Sequence, residues 1–132
     1  MRLSMGASTV ELTEANFEAA VKKGGILFID FWAQWCPPCR AFAPVFEEAA
    51  AKHGDIVFGK VNTEQQPGLG AAFEVQAIPT LAVFRDGVLL FAEAGAIPGK
   101  ALDQLIEKVR ELDMDQVRKD IEDIKKRESG AK

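Results

Sequence analysis

Residues 26–39 read Ile-Leu-Phe-Ile-Asp-Phe-Trp-Ala-Gln-Trp-Cys-Pro-Pro-Cys, and this stretch decides the fold. Its first eight residues are almost all apolar and rich in β-formers, which predicts a strand covered on both faces. The chain's only two cysteines, Cys36 and Cys39, follow directly. Two intervening residues let both thiols lie in the first turn of one helix, close enough to form a small disulfide ring. The strand therefore leads into a helix that carries both thiols.

Strand-like and helix-like segments alternate on both sides of this stretch. Runs of β-formers predict strands at 9–12, 26–33, 56–61, 80–84 and 88–92. Helical patterns occupy about 14–23, 37–52, 67–73 and 99–112. Asp86-Gly87 separates the last two strands and predicts a hairpin turn. This order predicts an α/β fold, with a central mixed β-sheet flanked by helices on both faces and with right-handed crossovers.

Residues 113–132 differ from the rest, because they are highly charged and yet retain an apolar periodicity. Asp113 with Gln116 three residues later resembles a capping box, which predicts an amphipathic helix from about residue 114 to 127. Its apolar residues recur at spacings of 3, 4 and 3, at Met114, Val117, Ile121 and Ile124. We expect this helix to lie on the domain or to fray as a solvated tail. A seam for self-association is the alternative, although two heptads are short for a coiled coil.

The size and composition of the chain limit the functions that it could have. A chain of 132 residues suits one domain with a real core, and we divide it into a flexible N-terminus at 1–8, a domain at 9–112 and the helical tail at 113–132. The net charge of −4 and the absence of a basic cluster with interleaved aromatics argue against nucleic-acid binding. No apolar run approaches the roughly 20 residues of a membrane span. We see no secretory signal, and we expect a cytoplasmic, monomeric protein.

The two cysteines could serve redox chemistry, zinc binding or a structural crosslink. A structural zinc site normally takes four Cys or His ligands, whereas this chain offers two cysteines and His53 in a different part of the sequence. An inert disulfide across so short a loop gains little from closure. A disulfide in a reducing compartment is more often catalytic than structural. These arguments favour a redox couple and no metal site.

The position of the cysteines suggests a division of labour. A thiol attacks as its thiolate, and the unpaired N–H groups at a helix N-terminus favour the anion at Cys36. Cys39, one turn further along, is expected to be more buried and to resolve the mixed disulfide. Asp30 interrupts the apolar strand six residues before Cys36, where burial should raise the pKa of its carboxyl. It could take a proton from Cys39, with Lys60 of the neighbouring strand as its partner; a purely structural Asp30–Lys60 pair is the alternative.

Several of these features, taken together, resemble the thioredoxin family from about residue 9 to 112. The matching segments are Phe31 to Arg40 around the cysteines, the helix-kinking Pro44, Ile78-Pro79-Thr80, Gly95-Ala96, and the pair Asp30 and Lys60. The resemblance implies the thioredoxin fold with a C-terminal helical extension, and a protein-disulfide reductase. It implies catalytic roles for Cys36, Cys39, Asp30, Lys60 and a cis-proline at Pro79. It also implies a substrate surface of Trp35, Pro37, Pro38, Ala77, Ile78, Gly95 and Ala96.

The resemblance further implies the electron source. No cofactor is expected to be bound, and electrons should come from NADPH through a flavin-dependent, thioredoxin reductase-like partner to disulfide-containing protein substrates. One residue departs from the family, since Pro37 stands where typical thioredoxins carry glycine. Loss of that N–H should disfavour the Cys36 thiolate and make the couple more reducing. An oxidase or isomerase with a shifted potential, and a thioredoxin-fold binding or chaperone module, are the alternatives.

Overall fold

The computed structural model describes residues 8–130. Strands and helices alternate along the chain, with a strand hairpin before the last two helices. The elements are β1 Thr9–Glu11, α1 Phe17–Lys22, β2 Ile26–Trp32, α2 Pro37–Lys52, β3 Val57–Asn62, α3 Pro67–Ala72, β4 Thr80–Arg85, β5 Val88–Ala94, α4 Gly99–Glu111 and α5 Met114–Gly130.

The five strands form one mixed sheet in the order β1-β3-β2-β4-β5. β3 pairs in parallel with both β1 and β2, whereas β4 is antiparallel to β2 and to β5. The prediction of a central mixed sheet is confirmed. β2 lies in the middle, so its apolar side chains are covered on both faces. Cys36 follows four residues after Trp32, the last residue of β2.

Helices cover both faces of the sheet and divide the core into two layers. One layer packs α2 and α4 against residues such as Phe28 of β2 and Phe58 of β3, whose rings stack with centroids 5.4 Å apart. The other layer packs α1 and α3 against residues such as Ile29 and Phe31. Alternate residues of β2 point to opposite layers. Asp30 is therefore on the same side as Phe28, facing α2.

The first helix begins later than the sequence indicates. The side chain of Asn16 accepts a hydrogen bond from the Thr13 N–H at 2.8 Å, and the Thr13 hydroxyl accepts one from the Ala15 N–H at 3.2 Å. These local bonds form a turn that competes with helix. The helix consequently begins at Phe17.

The first turn of the tail packs against the rest of the protein. Met114 is 7% exposed, and Arg118 approaches Asp86 of the β4–β5 turn, with 3.8 Å between Nη2 and Oδ2. Ile124, further along α5, is 43% exposed. The predicted C-terminal helix is thus confirmed and extends to Gly130. The division into domain and tail stays a prediction, and of the proposed flexible segment 1–8 only residue 8 lies within the described residues. No helix in the described range could cross a membrane.

Candidate active site

The two cysteines lie at the start of α2, directly after β2. Cys36 is the N-cap and forms a disulfide with Cys39, with 5.2 Å between their Cα atoms. The Cys39 N–H donates to the Cys36 sulfur at a distance of 3.2 Å. This is an N-cap interaction in which sulfur replaces the usual oxygen. The same N–H would favour a thiolate at Cys36 when the disulfide is reduced.

Prolines occupy the two positions between the sulfurs. Pro37 and Pro38 form the first turn of α2 and are exposed, and neither carries an N–H. The Arg40 N–H donates to the Cys36 carbonyl at 3.1 Å and is committed there. The Cys39 N–H is therefore the donor that this turn offers to the Cys36 sulfur.

The expected contrast in burial between the cysteines is small in the disulfide form. Cys36 is 3% exposed and Cys39 is 2% exposed. Both pack with Ala33, Trp32 and Ile78 in a small cluster. The two cysteines are therefore similarly buried. They differ in that the Cys36 sulfur contacts the loop before β4.

A second loop, which precedes the neighbouring strand β4, contacts Cys36. The Ile78–Pro79 peptide bond is cis, and the Cys36 Sγ lies 3.6 Å from the Ile78 carbonyl oxygen. A third loop joins at Gly95, whose N–H donates to the Pro79 carbonyl at 2.8 Å. Gly95 has a φ of +117°, which favours glycine. The structure thus brings together the predicted Cys36, Ile78, Pro79 and Gly95, with the exposed Ala96 next in the chain.

Trp35 forms one wall of a cleft beside the disulfide. It is 63% exposed, and its indole N–H donates to the Glu64 carboxylate at 2.8 Å. The cleft has a volume of about 320 Å³ and runs between α3 and the loop before β4. Its lining residues are Trp35, Thr63, Pro67, Gly70, Ala71, Val75, Gln76, Ala77 and Ile78. The predicted Ala77 and Ile78 belong to this wall, whereas its α3 side and Glu64 were not predicted.

Asp30 is buried beneath the disulfide helix without a direct partner. It is 0% exposed, and neither carboxylate oxygen has a hydrogen-bond partner in the described part of the chain. Burial is the main cause that raises the pKa of Asp30 to about 7. Nearby Lys60 lowers this pKa, and nearby Glu47 raises it. The sequence-based expectation of a raised pKa agrees with this environment.

Lys60 does not form the predicted ion pair with Asp30. The two residues are neighbours in the parallel register of β2 and β3, but within residues 8–130 the ion pair of Lys60 is with Glu47 of α2, at 3.6 Å. Its ammonium also lies 5.0 Å from the centroid of the Trp32 ring. Strand register places the Cα atoms side by side, but the long lysine side chain extends towards the more exposed carboxylate. Lys60 therefore acts on Asp30 through space rather than by contact.

The comparisons with known proteins agree with this arrangement. The sequence model of the Thioredoxin family matches residues 8–108. The chain belongs to the thioredoxin family. A Streptomyces coelicolor relative with a thioredoxin 2 designation is 53% identical over 112 residues, which is 85% of this chain and 84% of the relative. Thioredoxin of Staphylococcus aureus strain N315 is 39% identical over 100 residues, 75% of this chain and 95% of its own length.

Solved structures of thioredoxins share the fold. The oxidised mitochondrial thioredoxin 3 of Saccharomyces cerevisiae has a TM-score of 0.72 at 31% identity, covering 80% of this chain and 99% of that one. Plasmodium falciparum thioredoxin has a TM-score of 0.70, also at 31% identity, with coverages of 76% and 98%. Family membership and the Cys36–Cys39 pair identify a disulfide-reducing thiol-disulfide oxidoreductase that needs no bound cofactor. The oxidase, isomerase and binding-module alternatives are not favoured.

Proposed function

We propose that this thioredoxin reduces protein disulfides with Cys36 as the nucleophile and Cys39 as the resolving thiol. The observation that carries the assignment is the 3.6 Å contact between the Cys36 Sγ and the Ile78 carbonyl, beside Pro79. A substrate chain that pairs with the Ile78 backbone as an added strand would present its sulfur to Cys36. The exposed Trp35, Pro37 and Pro38 would border that substrate, with Ala77, Gly95 and Ala96 completing the surface.

The proposed reaction transfers two electrons in two exchange steps. The Cys36 thiolate attacks one sulfur of the substrate disulfide, forms a mixed disulfide and releases the other sulfur as a thiolate, which takes a proton from water. Asp30 then accepts the proton of the Cys39 thiol, directly or through a water. The Cys39 thiolate attacks the Cys36 sulfur, which forms the intramolecular disulfide and releases the second substrate thiolate. The substrate is reduced and the dithiol is oxidised.

Return to the dithiol requires an external reductant. We place this thioredoxin in a reducing compartment, the cytoplasm, and assign its electrons to NADPH through a flavin-dependent reductase. The exposed Trp35, Pro37 and Pro38 beside the disulfide suit a surface that such a partner must contact. A coupled assay with NADPH, a bacterial thioredoxin reductase and insulin measures this step, and turnover with dithiothreitol but not with the reductase would contradict it.

Trapping separates the roles of the two cysteines. Cys39→Ser should hold insulin chains covalently on Cys36, because the resolving thiol is missing. Cys36→Ser with Cys39 intact is the matched variant and should trap little. Mass spectrometry of the mixed disulfides reads the outcome, and trapping that depends on Cys39 instead would reverse the assignment of nucleophile.

A further inference from the structure

The ion pair between Glu47 and Lys60 lies next to the buried carboxylate of Asp30. Glu47 is on α2, eight residues after Cys39, and its carboxylate approaches the Lys60 ammonium at 3.6 Å. Both side chains are about four-fifths buried, with exposures of 21% and 18%. The pair is therefore screened less by water than a surface ion pair. One helix thus carries both the resolving cysteine and an acid that engages the lysine beside Asp30.

Lys60 has more than one carboxylate within its surroundings. In the strand register it is opposite Asp30 on one side and opposite Glu11 on the other. Its ammonium nevertheless pairs with Glu47 and contacts the face of Trp32. An unpaired carboxylate that is fully buried is costly, so the Lys60 ammonium would stabilise an Asp30 anion if it moved there. The contact with Glu47 opposes that movement.

We propose that Glu47 is a positioning residue that holds the Lys60 ammonium away from Asp30, so that Asp30 lacks a direct counter-ion and can take up the proton of Cys39. This inference deepens the proposed function and rests on the role given there to Asp30. Glu47 touches neither sulfur nor substrate in this scheme. It acts through Lys60.

Two charged residues in the described part of the chain influence the pKa of the Asp30 carboxyl. β3 contributes Lys60 and α2 contributes Glu47, while the residue opposite Asp30 on β4 is the apolar Leu81. The negative charge of Glu47 and the positive charge of Lys60 oppose each other at Asp30, as the directions of their effects on its pKa show. Glu47 also borders, with Lys60 and Trp32, an open cleft of about 470 Å³. The ion pair is therefore the part of this cluster that solvent reaches.

The test is a titration of the Asp30 carboxyl by carbon NMR in the disulfide form. Glu47→Gln should move its midpoint to lower pH by about one unit, because an opposite charge within about 4–6 Å favours the anion. Glu48→Gln removes the same charge from an exposed position one residue along α2 and should leave the midpoint unchanged. An unchanged midpoint in a folded Glu47→Gln variant would overturn the inference.

A double-mutant cycle shows whether Glu47 acts through Lys60 or only by its own charge. Glu47→Gln is repeated in a Lys60→Met background, where no ammonium can move towards Asp30. The proposal expects a smaller movement of the Asp30 midpoint there than in the wild-type background. Equal movements in the two backgrounds would mean that the charge of Glu47 acts alone, and would overturn the positioning role.

Kinetics then separate this inference from the role proposed for Asp30. The pH profile of the Cys39 attack should move with the Asp30 titration in Glu47→Gln. If the titration moves and the rate profile does not, the proton-acceptor role fails while the positioning of Lys60 by Glu47 stands. If Asp30→Asn slows the attack but Glu47→Gln leaves the titration unmoved, the proton-acceptor role stands and the positioning inference fails.

Discussion

The indole N–H of Trp35 donates a hydrogen bond to the Glu64 carboxylate at 2.8 Å, and this bond fixes the most exposed aromatic side chain beside the disulfide. Glu64 follows β3, while Trp35 precedes the first turn of α2. The bond therefore joins the segments that follow the neighbouring strands β2 and β3, beside the cleft that Trp35 lines. A large ring held in one orientation loses less entropy when a substrate packs on it.

We expect Glu64→Ala to free Trp35 and weaken substrate capture. In a Trp32→Phe background the fluorescence anisotropy of Trp35 should fall. The kcat/KM for insulin reduction should decrease by about fivefold, equivalent to about 1 kcal/mol for one hydrogen bond. Glu64→Gln keeps an acceptor for the indole and should show the smaller effect. Unchanged anisotropy in Glu64→Ala would mean that the bond does not order the ring.

Pro37 sets how many donors surround the Cys36 sulfur. Pro37→Gly adds an N–H to the first turn of α2, where the Cys39 N–H already contacts that sulfur. The added donor should favour the thiolate and make the reduction potential less negative by about 30 mV, equivalent to about 1.4 kcal/mol for this couple. Equilibration with glutathione, followed by tryptophan fluorescence, measures the change.

Pro98→Gly, the same substitution at the N-cap of α4, is the control for Pro37→Gly and should leave the potential unchanged. A more negative potential in Pro37→Gly would contradict the argument from donors. It would show that the stiffness of the Cys-Pro-Pro-Cys turn has the larger effect.

Asp30 should make stability depend on pH. Its pKa is about 7 in the folded chain against an ordinary value of 3.8, so between these two pH values the folded state binds a proton that the unfolded state has lost. The contribution of Asp30 to the free energy of unfolding is largest below about pH 4, falls as pH rises to about 7, and is constant above that. The free energy of unfolding of Asp30→Asn, taken relative to wild type, should therefore rise by about 2 kcal/mol from pH 5 to pH 7.

Urea unfolding of the disulfide forms at several pH values measures this difference between wild type and Asp30→Asn. Both proteins must stay oxidised, so that no thiol titration contributes. A constant difference across the range would mean that Asp30 does not titrate there, and would remove the physical basis for its role as proton acceptor.

Asp30→Asn should also slow the attack of Cys39 on the mixed disulfide more than the initial attack of Cys36 on the substrate. Asp30→Asn cannot accept the proton of Cys39, and we expect resolution of the mixed disulfide to slow by about tenfold at pH 7. This is less than the ~100-fold of a directly placed base, because water can take part of the role. Stopped-flow fluorescence measures resolution, and a Cys39→Ser background isolates the initial attack. Equal slowing of both steps would point to a structural role instead.

The sequence predicted the sheet and the cysteine pair because both depend on short-range patterns. The apolar run of β2 and the Asp86-Gly87 turn specify strands by composition, and Cys36 and Cys39 are joined by only two residues. The cis-proline at Pro79 followed from the family resemblance. Each of these features is set by the backbone, which a pattern of residues describes well.

What the sequence did not predict depends on where long side chains extend. The parallel register places Lys60 beside Asp30, but the choice of Glu47 as its ion-pair partner depends on how α2 packs over β3. Glu64 carries no sequence signal for a bond to Trp35, because the contact spans 29 positions. The similar burial of the two cysteines likewise reflects their neighbours in space rather than their order in the chain.

Arg85, the last residue of β4, holds the junction between α4 and α5. Its Nη1 group donates to the carbonyls of Val109 at 2.7 Å, Leu112 at 3.0 Å and Arg110 at 3.3 Å, at the end of α4, where the last carbonyls of a helix lack a full set of intrahelical partners. Arg85→Met keeps the apolar stem and should lower the free energy of unfolding by about 1–2 kcal/mol. Hydrogen exchange at Leu112 and along α5 should rise, while the reduction of insulin stays unchanged. Arg127→Met, on the exposed end of α5, is the control, and equal exchange in both variants would show that the tail is held by Met114 rather than by Arg85.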